Sequence, residues 1–144
     1  AEAWLELAAR QLKSGFLVLV DYGAEAAELY QSPARRQGTL RSFRNHQFTN
    51  NPLAQPGQQD LTTTIDWYFV RSVAEVQGLR VVEFERQDKF LLRAGILEEL
   101  ELRTNETDNE VEKTKLRTGA REMILPSGMA GSFQVLVLER EAEL

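Results

Sequence analysis

Five apolar residues in a row, Phe16-Leu17-Val18-Leu19-Val20, end abruptly in Asp21-Tyr22-Gly23. An unbroken run of bulky and β-branched side chains predicts a strand buried on both faces. Upstream, Trp4, Leu5, Ala8 and Leu12 recur at helical spacing, which predicts a helix over 2–13 stopped by Gly15. Helix, short turn and buried strand is an α/β order. Residues 24–37 are polar, contain Pro33 and the pair Arg35-Arg36, and read as a mobile connection. GTLRSF (38–43) predicts a second short strand. The segment 44–63, with Pro52, Pro56 and Gly57, reads as a long polar loop, and loops of that length are usually functional or disordered. Its Asn50, Asn51, Gln58, Gln59 and Asp60 are able to hydrogen-bond a ligand, or it is simply a solvated surface loop.

The second half is more regular. Ile65, Phe69, Val73 and Val76 fall on one face of a helix predicted at 64–77, with Asp66 in its first turn, Thr62 or Thr63 as cap and Gly78 as stop. LRVVEF (79–84) predicts a strand. Asp88 would cap a helix over 89–101 whose stripe is Phe90, Ala94 and Leu97. Thr107-Asp108-Asn109-Glu110 has the form of a capping box for a charged helix over 108–124. Pro126 and Gly128 break the chain, and FQVLVL (133–138) predicts a last strand. A strand that returns after a helical insertion suggests an antiparallel edge strand on a mostly parallel sheet.

Composition narrows the function classes. The 144 residues suit one domain, and 42% hydrophobic with 27% charged residues argues against disorder. No apolar run nears the roughly 20 residues of a membrane helix. Acidic residues outnumber basic ones, 22 to 17, and a formal charge of −5 disfavours nucleic acid as a partner. Arg35, Arg36, Arg41 and Arg44 still allow a local basic strip. Without cysteine there is no disulfide, zinc ribbon or thiolate nucleophile, and the single histidine, His46, removes a His-rich metal site. The chain begins at Ala1 with a helix under way, which reads as truncation or processing.

The candidate chemistry lies at strand ends and in the loops. Ligands of open α/β sheets bind at the carboxyl ends of strands, which singles out Asp21, Tyr22 and Gly23. The alternative is a turn with Gly23 at positive φ. His46, in Arg44-Asn45-His46-Gln47, is a general-base candidate or a surface residue. Asp60 and Thr62 precede a helix and are site residues or caps. Gln87 and Phe90 open another helix, one as a polar starter and the other as core. Glycine-rich phosphate loops and a Gly-x-Ser-x-Gly elbow are not in the sequence.

VDYG (20–23), GTLRSFRNHQ (38–47), NPLAQPGQQDLTTTIDW (51–67), QDKFLLRAGI (87–96) and MILPSGMAGSFQVL (123–136), in this order, resemble the MidA-like methyltransferases. That family includes the mitochondrial complex I assembly factor that methylates arginine. The resemblance spans about Phe16 to Leu138. It implies a Rossmann-like fold, S-adenosylmethionine as cofactor and a protein substrate such as a complex I subunit. By position, it places Asp21, Tyr22, His46 and Asp60 as catalytic candidates, Asp21 and Gly23 beside the cofactor, and Gln47, Thr62 and Gln87 beside the substrate. Asp21-Tyr22-Gly23 would end the fourth sheet strand. The family's glycine-rich loop and ribose-binding acid lie upstream of its Asp-Tyr-Gly. Residues 1–144 are therefore expected to be a single partial domain, the C-terminal half of a methyltransferase, inactive alone and weak in cofactor binding. Its uncovered sheet is expected to self-associate, to swap elements or to need the missing half. Bacterial cytoplasm, or the mitochondrial matrix in a eukaryote, is the implied location. The alternatives are a non-catalytic binding or assembly module, and an unrelated α/β hydrolase using Asp21 and His46.

Overall fold

The computed structural model describes residues 2–45, 47–49, 51–126 and 129–142. Helix α1 (Glu2–Gln11) leads into strand β1 (Gly15–Ala24). Helix α2 (Ala26–Gln31) and a 3-10 turn at Pro33–Arg35 connect it to β2 (Arg41–Arg44), β3 (Gln47–Thr49) and β4 (Asp60–Thr62). The two-residue β5 (Ile65–Asp66) precedes α3 (Trp67–Val76) and β6 (Arg80–Arg86). Three helices follow, α4 (Gln87–Arg93), α5 (Ile96–Asn105) and α6 (Glu110–Ile124), then β7 (Phe133–Arg140).

The main sheet has the order β5-β1-β7-β6. β1 runs parallel to β5, and β7 runs antiparallel to both β1 and β6. Strands β5, β1 and β6 therefore share one direction and β7 alone opposes them. The α/β class and the helical insertion before β7 follow the sequence. The opposing strand lies between β1 and β6 and not at the edge, because its apolar run pairs on both sides. A second sheet, β3-β2-β4, is wholly antiparallel.

One face of the main sheet carries Leu17, Leu19, Val81, Phe84, Leu136 and Leu138, and α1 and α3 cover it with Leu5, Ala9, Trp67, Val70, Val73 and Ala74. Burial of this apolar area is the main stabilising term. The Trp67 and Phe84 rings meet at 5.5 Å, and the Arg71 guanidinium lies 4.5 Å over Phe84 while forming a bidentate pair with Glu25 at 2.9 Å. Across the strand the picture reverses. Phe16, Val18 and Val20 stay 60%, 50% and 50% exposed. β1 is thus covered on one face only, and the strand buried on both faces is β7, where Val135, Leu136, Val137 and Leu138 are all buried.

Several predicted elements shift. The 24–37 connection contains α2, whose Leu29 is buried. The long loop at 44–63 holds β3 and β4, pinned by Ser42, whose hydroxyl donates to the Thr49 carbonyl at 3.0 Å. α3 begins at Trp67 with Asp66 as its cap, accepting from Phe69 N at 3.0 Å, so neither Thr62 nor Thr63 caps it. Its buried stripe is Trp67, Val70, Val73 and Ala74, while Val76 is 82% exposed. The expected single helix at 89–101 is two, broken at Gly95, which sits at φ 90° where a side chain would be strained. Asp88 lies inside α4, buried against Arg86, and caps nothing. α6 is capped by Asn109, with Thr107 supporting it through the Asn109 amide and the Glu112 carboxylate. No helix among the described residues is long and apolar enough to cross a membrane.

Candidate functional site

Strand geometry decides what the end of β1 can do. Successive side chains point to opposite faces, so Asp21 and Tyr22 open into different cavities. Tyr22 and Gly23 line a cavity of about 700 Å³ together with Arg35, Arg41, Thr62, Arg86 and Gln134. Asp21 lines a smaller one of about 420 Å³ on the α1–α3 side, walled by Trp4, Leu19, Trp67, Phe69 and Val70. Thr64 borders both.

The two cavities have opposite charge. The smaller is apolar, and its charged lining is the three carboxylates Glu2, Asp21 and Asp66. Asp21 is half-buried, and one of its oxygens accepts the Tyr22 amide at 2.7 Å. Asp66 is engaged twice, by the Phe69 amide and by the Tyr30 hydroxyl at 3.0 Å. That hydrogen bond, reinforced by the negative charge, holds the Tyr30 phenol above its ordinary pKa.

The larger cavity is lined by three guanidinium groups and one carboxylate, Glu28. Glu28 pairs with Arg35 at 3.1 Å, and Arg86 pairs with Asp88 through two contacts of 3.0 Å. Arg41 makes no ion pair among the described residues. Its guanidinium lies 5.2 Å over the Tyr22 ring, and Tyr22 in turn meets Phe133 edge-on at 5.6 Å. Six side-chain atoms are buried without a hydrogen-bond partner among the described residues, and four of them, Arg35 Nη1, Arg41 Nε, Thr62 Oγ1 and Gln134 Oε1, belong to this one wall.

The structure brings together only part of the predicted set. Tyr22, Gly23 and Thr62 share the larger cavity, and Asp21 faces the other. Gly23 lies within β1 and not in a positive-φ turn. A Cβ there would collide with the Trp67 indole and approach the Ile65 carbonyl oxygen to 2.8 Å. Asp60 is exposed on β4 and Gln47 on β3, and neither lines either cavity. Gln87 is half-buried at the start of α4, 3.4 Å from the Met123 carbonyl, outside both. His46 and Asn50 fall outside the described residues. Asn51 and Gln59 spend their polar groups within the loop: the Leu53 amide donates to Asn51 Oδ1 at 3.1 Å and Gln59 Nε2 donates to the Asn51 carbonyl at 3.2 Å. The basic strip divides, with Arg35 and Arg41 in the cavity, Arg36 exposed, and Arg44 donating to Gln55. Arg86, Gln134, Asp66 and Trp67 were not foreseen in the site.

A nucleoside cofactor finds no complete cradle among these residues. The space beside Gly23 is filled by Trp67. The arginine lining of the larger cavity opposes a sulfonium cation. The Asp21 cavity offers three carboxylates and the Thr63 and Thr64 side chains between largely apolar walls, and with about 420 Å³ it covers only part of a nucleoside cofactor.

Comparison with known proteins supplies the context. A family model described as "Putative S-adenosyl-L-methionine-dependent methyltransferase" matches residues 1–85. A protein from Drosophila melanogaster named protein arginine methyltransferase NDUFAF7 homolog, mitochondrial, is 33% identical over 64 residues, which is 44% of this chain and 13% of that protein. Two crystal structures from Burkholderia thailandensis share the fold at 25% identity, covering 99% of this chain. One is native, with a TM-score of 0.84 over 37% of its length. The other is bound to S-adenosyl-homocysteine, with a TM-score of 0.85 over 36%. The chain thus spans little more than a third of these solved relatives.

Proposed function

This chain belongs to that family of S-adenosyl-L-methionine-dependent methyltransferases, and on that footing we propose that the protein methylates an arginine side chain of another protein. The observation that carries the proposal is the Asp21 cavity. It is apolar, its charged lining among the described residues is entirely acidic, and it lies at the carboxyl end of β1. A guanidinium is planar, carries five donors and keeps its proton in water. Aromatic walls such as Trp67 and Phe69 suit its flat faces, and carboxylates suit its edges.

The chain's own residues then act on the acceptor. Asp21, with one oxygen anchored by the Tyr22 amide, offers the other to the guanidinium. Bonding there draws positive charge onto the nitrogens it holds and leaves the remaining one oriented and with a freer lone pair. Asp21 is also placed to accept the proton that nitrogen must shed. Asp66 is fixed by its two donors and contributes charge without freedom to move. The named Drosophila relative and the resemblance to MidA-like proteins support arginine as the acceptor and a respiratory complex I subunit as its carrier. In the same proposal residues 1–144 form the C-terminal part of one methyltransferase domain, and the remainder of the cofactor site lies elsewhere in the protein.

The test is methyl transfer by the full-length protein to extract from cells lacking it, read by mass spectrometry. Methylated arginine is expected. Asp21→Asn keeps the shape and removes the charge, and should lower kcat by about 100-fold or more with little change in S-adenosyl-homocysteine affinity. Turnover that survives Asp21→Asn, or methyl groups found only on other residue types, overturns the proposal.

A further inference from the structure

We propose that the arginine-lined cavity on the other side of β1 binds a carboxylate, and that its source is an acidic residue of the protein acceptor lying near the arginine to be methylated. The inference rests on the preceding one, because it treats the Asp21 cavity as the pocket for that arginine. Its independent basis is the charge of the second wall. Two of its three guanidiniums are already answered, Arg35 by Glu28 and Arg86 by Asp88. Arg41 is the third. It is half-buried, has no carboxylate partner among the described residues, and lies 5.2 Å over the Tyr22 ring. In a chain whose formal charge is −5, a wall with a surplus guanidinium is a local inversion. A like-charged guanidinium would be repelled there, whereas a carboxylate would complete the set.

The wall is also short of internal partners. Arg35 Nη1 and Arg41 Nε are donors without acceptors, Gln134 Oε1 is an acceptor without a donor, and Thr62 Oγ1 can serve as either. Buried polar groups of native proteins are ordinarily satisfied, so four exceptions behind one wall set it apart from the rest of the described residues. Because Thr64 borders both cavities, a single acceptor segment crossing the end of β1 would place its arginine on one side and its acidic residue on the other.

A carboxylate is also found on the amino-acid end of the cofactor, and the experiment separates the two sources. Fluorescein-labelled hexaglutamate and hexaglutamine are titrated into the full-length protein by anisotropy, and S-adenosyl-homocysteine by calorimetry, in wild type, Arg41→Gln and Arg41→Lys. Hexaglutamate should bind and hexaglutamine should not. Arg41→Gln should weaken hexaglutamate about tenfold or more, Arg41→Lys should weaken it less, and S-adenosyl-homocysteine should be unaffected. Unfolding midpoints matching wild type exclude a folding defect, and Arg36→Gln, on the exposed neighbour, should leave the peptide affinity as it was. Equal binding of the two peptides, or a loss with Arg41→Gln confined to S-adenosyl-homocysteine, overturns the assignment. Arg41-dependent peptide binding in a protein that methylates no arginine would sink the acceptor proposal, and with it the acidic residue beside that arginine, and leave only a carboxylate site at Arg41. Arginine methylation without Arg41-dependent binding would do the reverse.

Discussion

At Gly23 a single hydrogen atom separates a packed strand from a broken one. β1 passes so close to the Trp67 indole and the Ile65 carbonyl that there is no room for a methyl group. Trp67 is itself fully buried in the core and touches Phe84, so it cannot swing away. Gly23→Ala should therefore destabilise the fold by ~1–3 kcal/mol or more through overpacking. Urea unfolding of the purified protein measures this, and an unchanged midpoint would show that Trp67 yields. The sequence marks Gly23 as special but for another reason, a positive-φ turn or a cofactor contact. Its real constraint comes from a residue 44 positions later, and no local pattern can reveal a neighbour brought up by tertiary packing. Arg41 is the same kind of case. It is visible as one of four arginines near a loop, yet only the fold separates it from Arg36 and Arg44, by setting it opposite Thr62 of β4 and over Tyr22.

At the scale of elements, periodicity succeeds where it has contrast to work with. β7 is legible because six apolar or half-buried residues stand between polar flanks, and α6 because a capping sequence opens a charged helix. α3 is misread because it is apolar nearly all round. Ile65, Phe69, Val73 and Val76 fit one stripe as well as Trp67, Val70, Val73 and Ala74 fit another, and the bulk of Trp67 decides between them. β3 and β4 escape notice because they are three-residue strands held by polar contacts around Ser42, with no alternation of apolar side chains. Capping offers a clean test of element energetics. Asn109 Oδ1 accepts the Val111 and Glu112 amides at 3.0 and 3.3 Å, satisfying donors the helix cannot satisfy itself. Asn109→Ala should cost ~1 kcal/mol. Thr107→Ala, which leaves those two bonds in place, should cost less. Denaturant midpoints rank the two, and the opposite order would return the cap to Thr107.

Over the whole molecule, the α/β class, the helical insertion and the opposing last strand were legible, while the two cavities were not. The run from Phe16 to Val20 conceals the reason. Read as one hydrophobic block it predicts a strand covered twice, but the described residues cover only the Leu17 and Leu19 side. Beyond that, among the described residues β1 is paired along Gly15–Tyr22 by β7 alone, and β5 meets its other edge only at Gly23 and Ala24. An apolar strip beside a row of unpaired backbone groups is a template for another strand. Residues 1–144 in isolation should therefore associate through β1. Val18→Lys puts a charge in the middle of the strip without touching the core side, and a lysine on an edge strand opposes pairing. Light scattering after size exclusion should show wild-type chain above monomer mass, falling with concentration, and Val18→Lys at monomer mass with the same far-ultraviolet circular dichroism. Asp21 and Arg41, beyond the strip, keep their places in the variant, so a loss of helical signal is not expected. If the wild-type chain runs as a monomer at every concentration, the exposed face of β1 is tolerated by water and the strip is not an association surface.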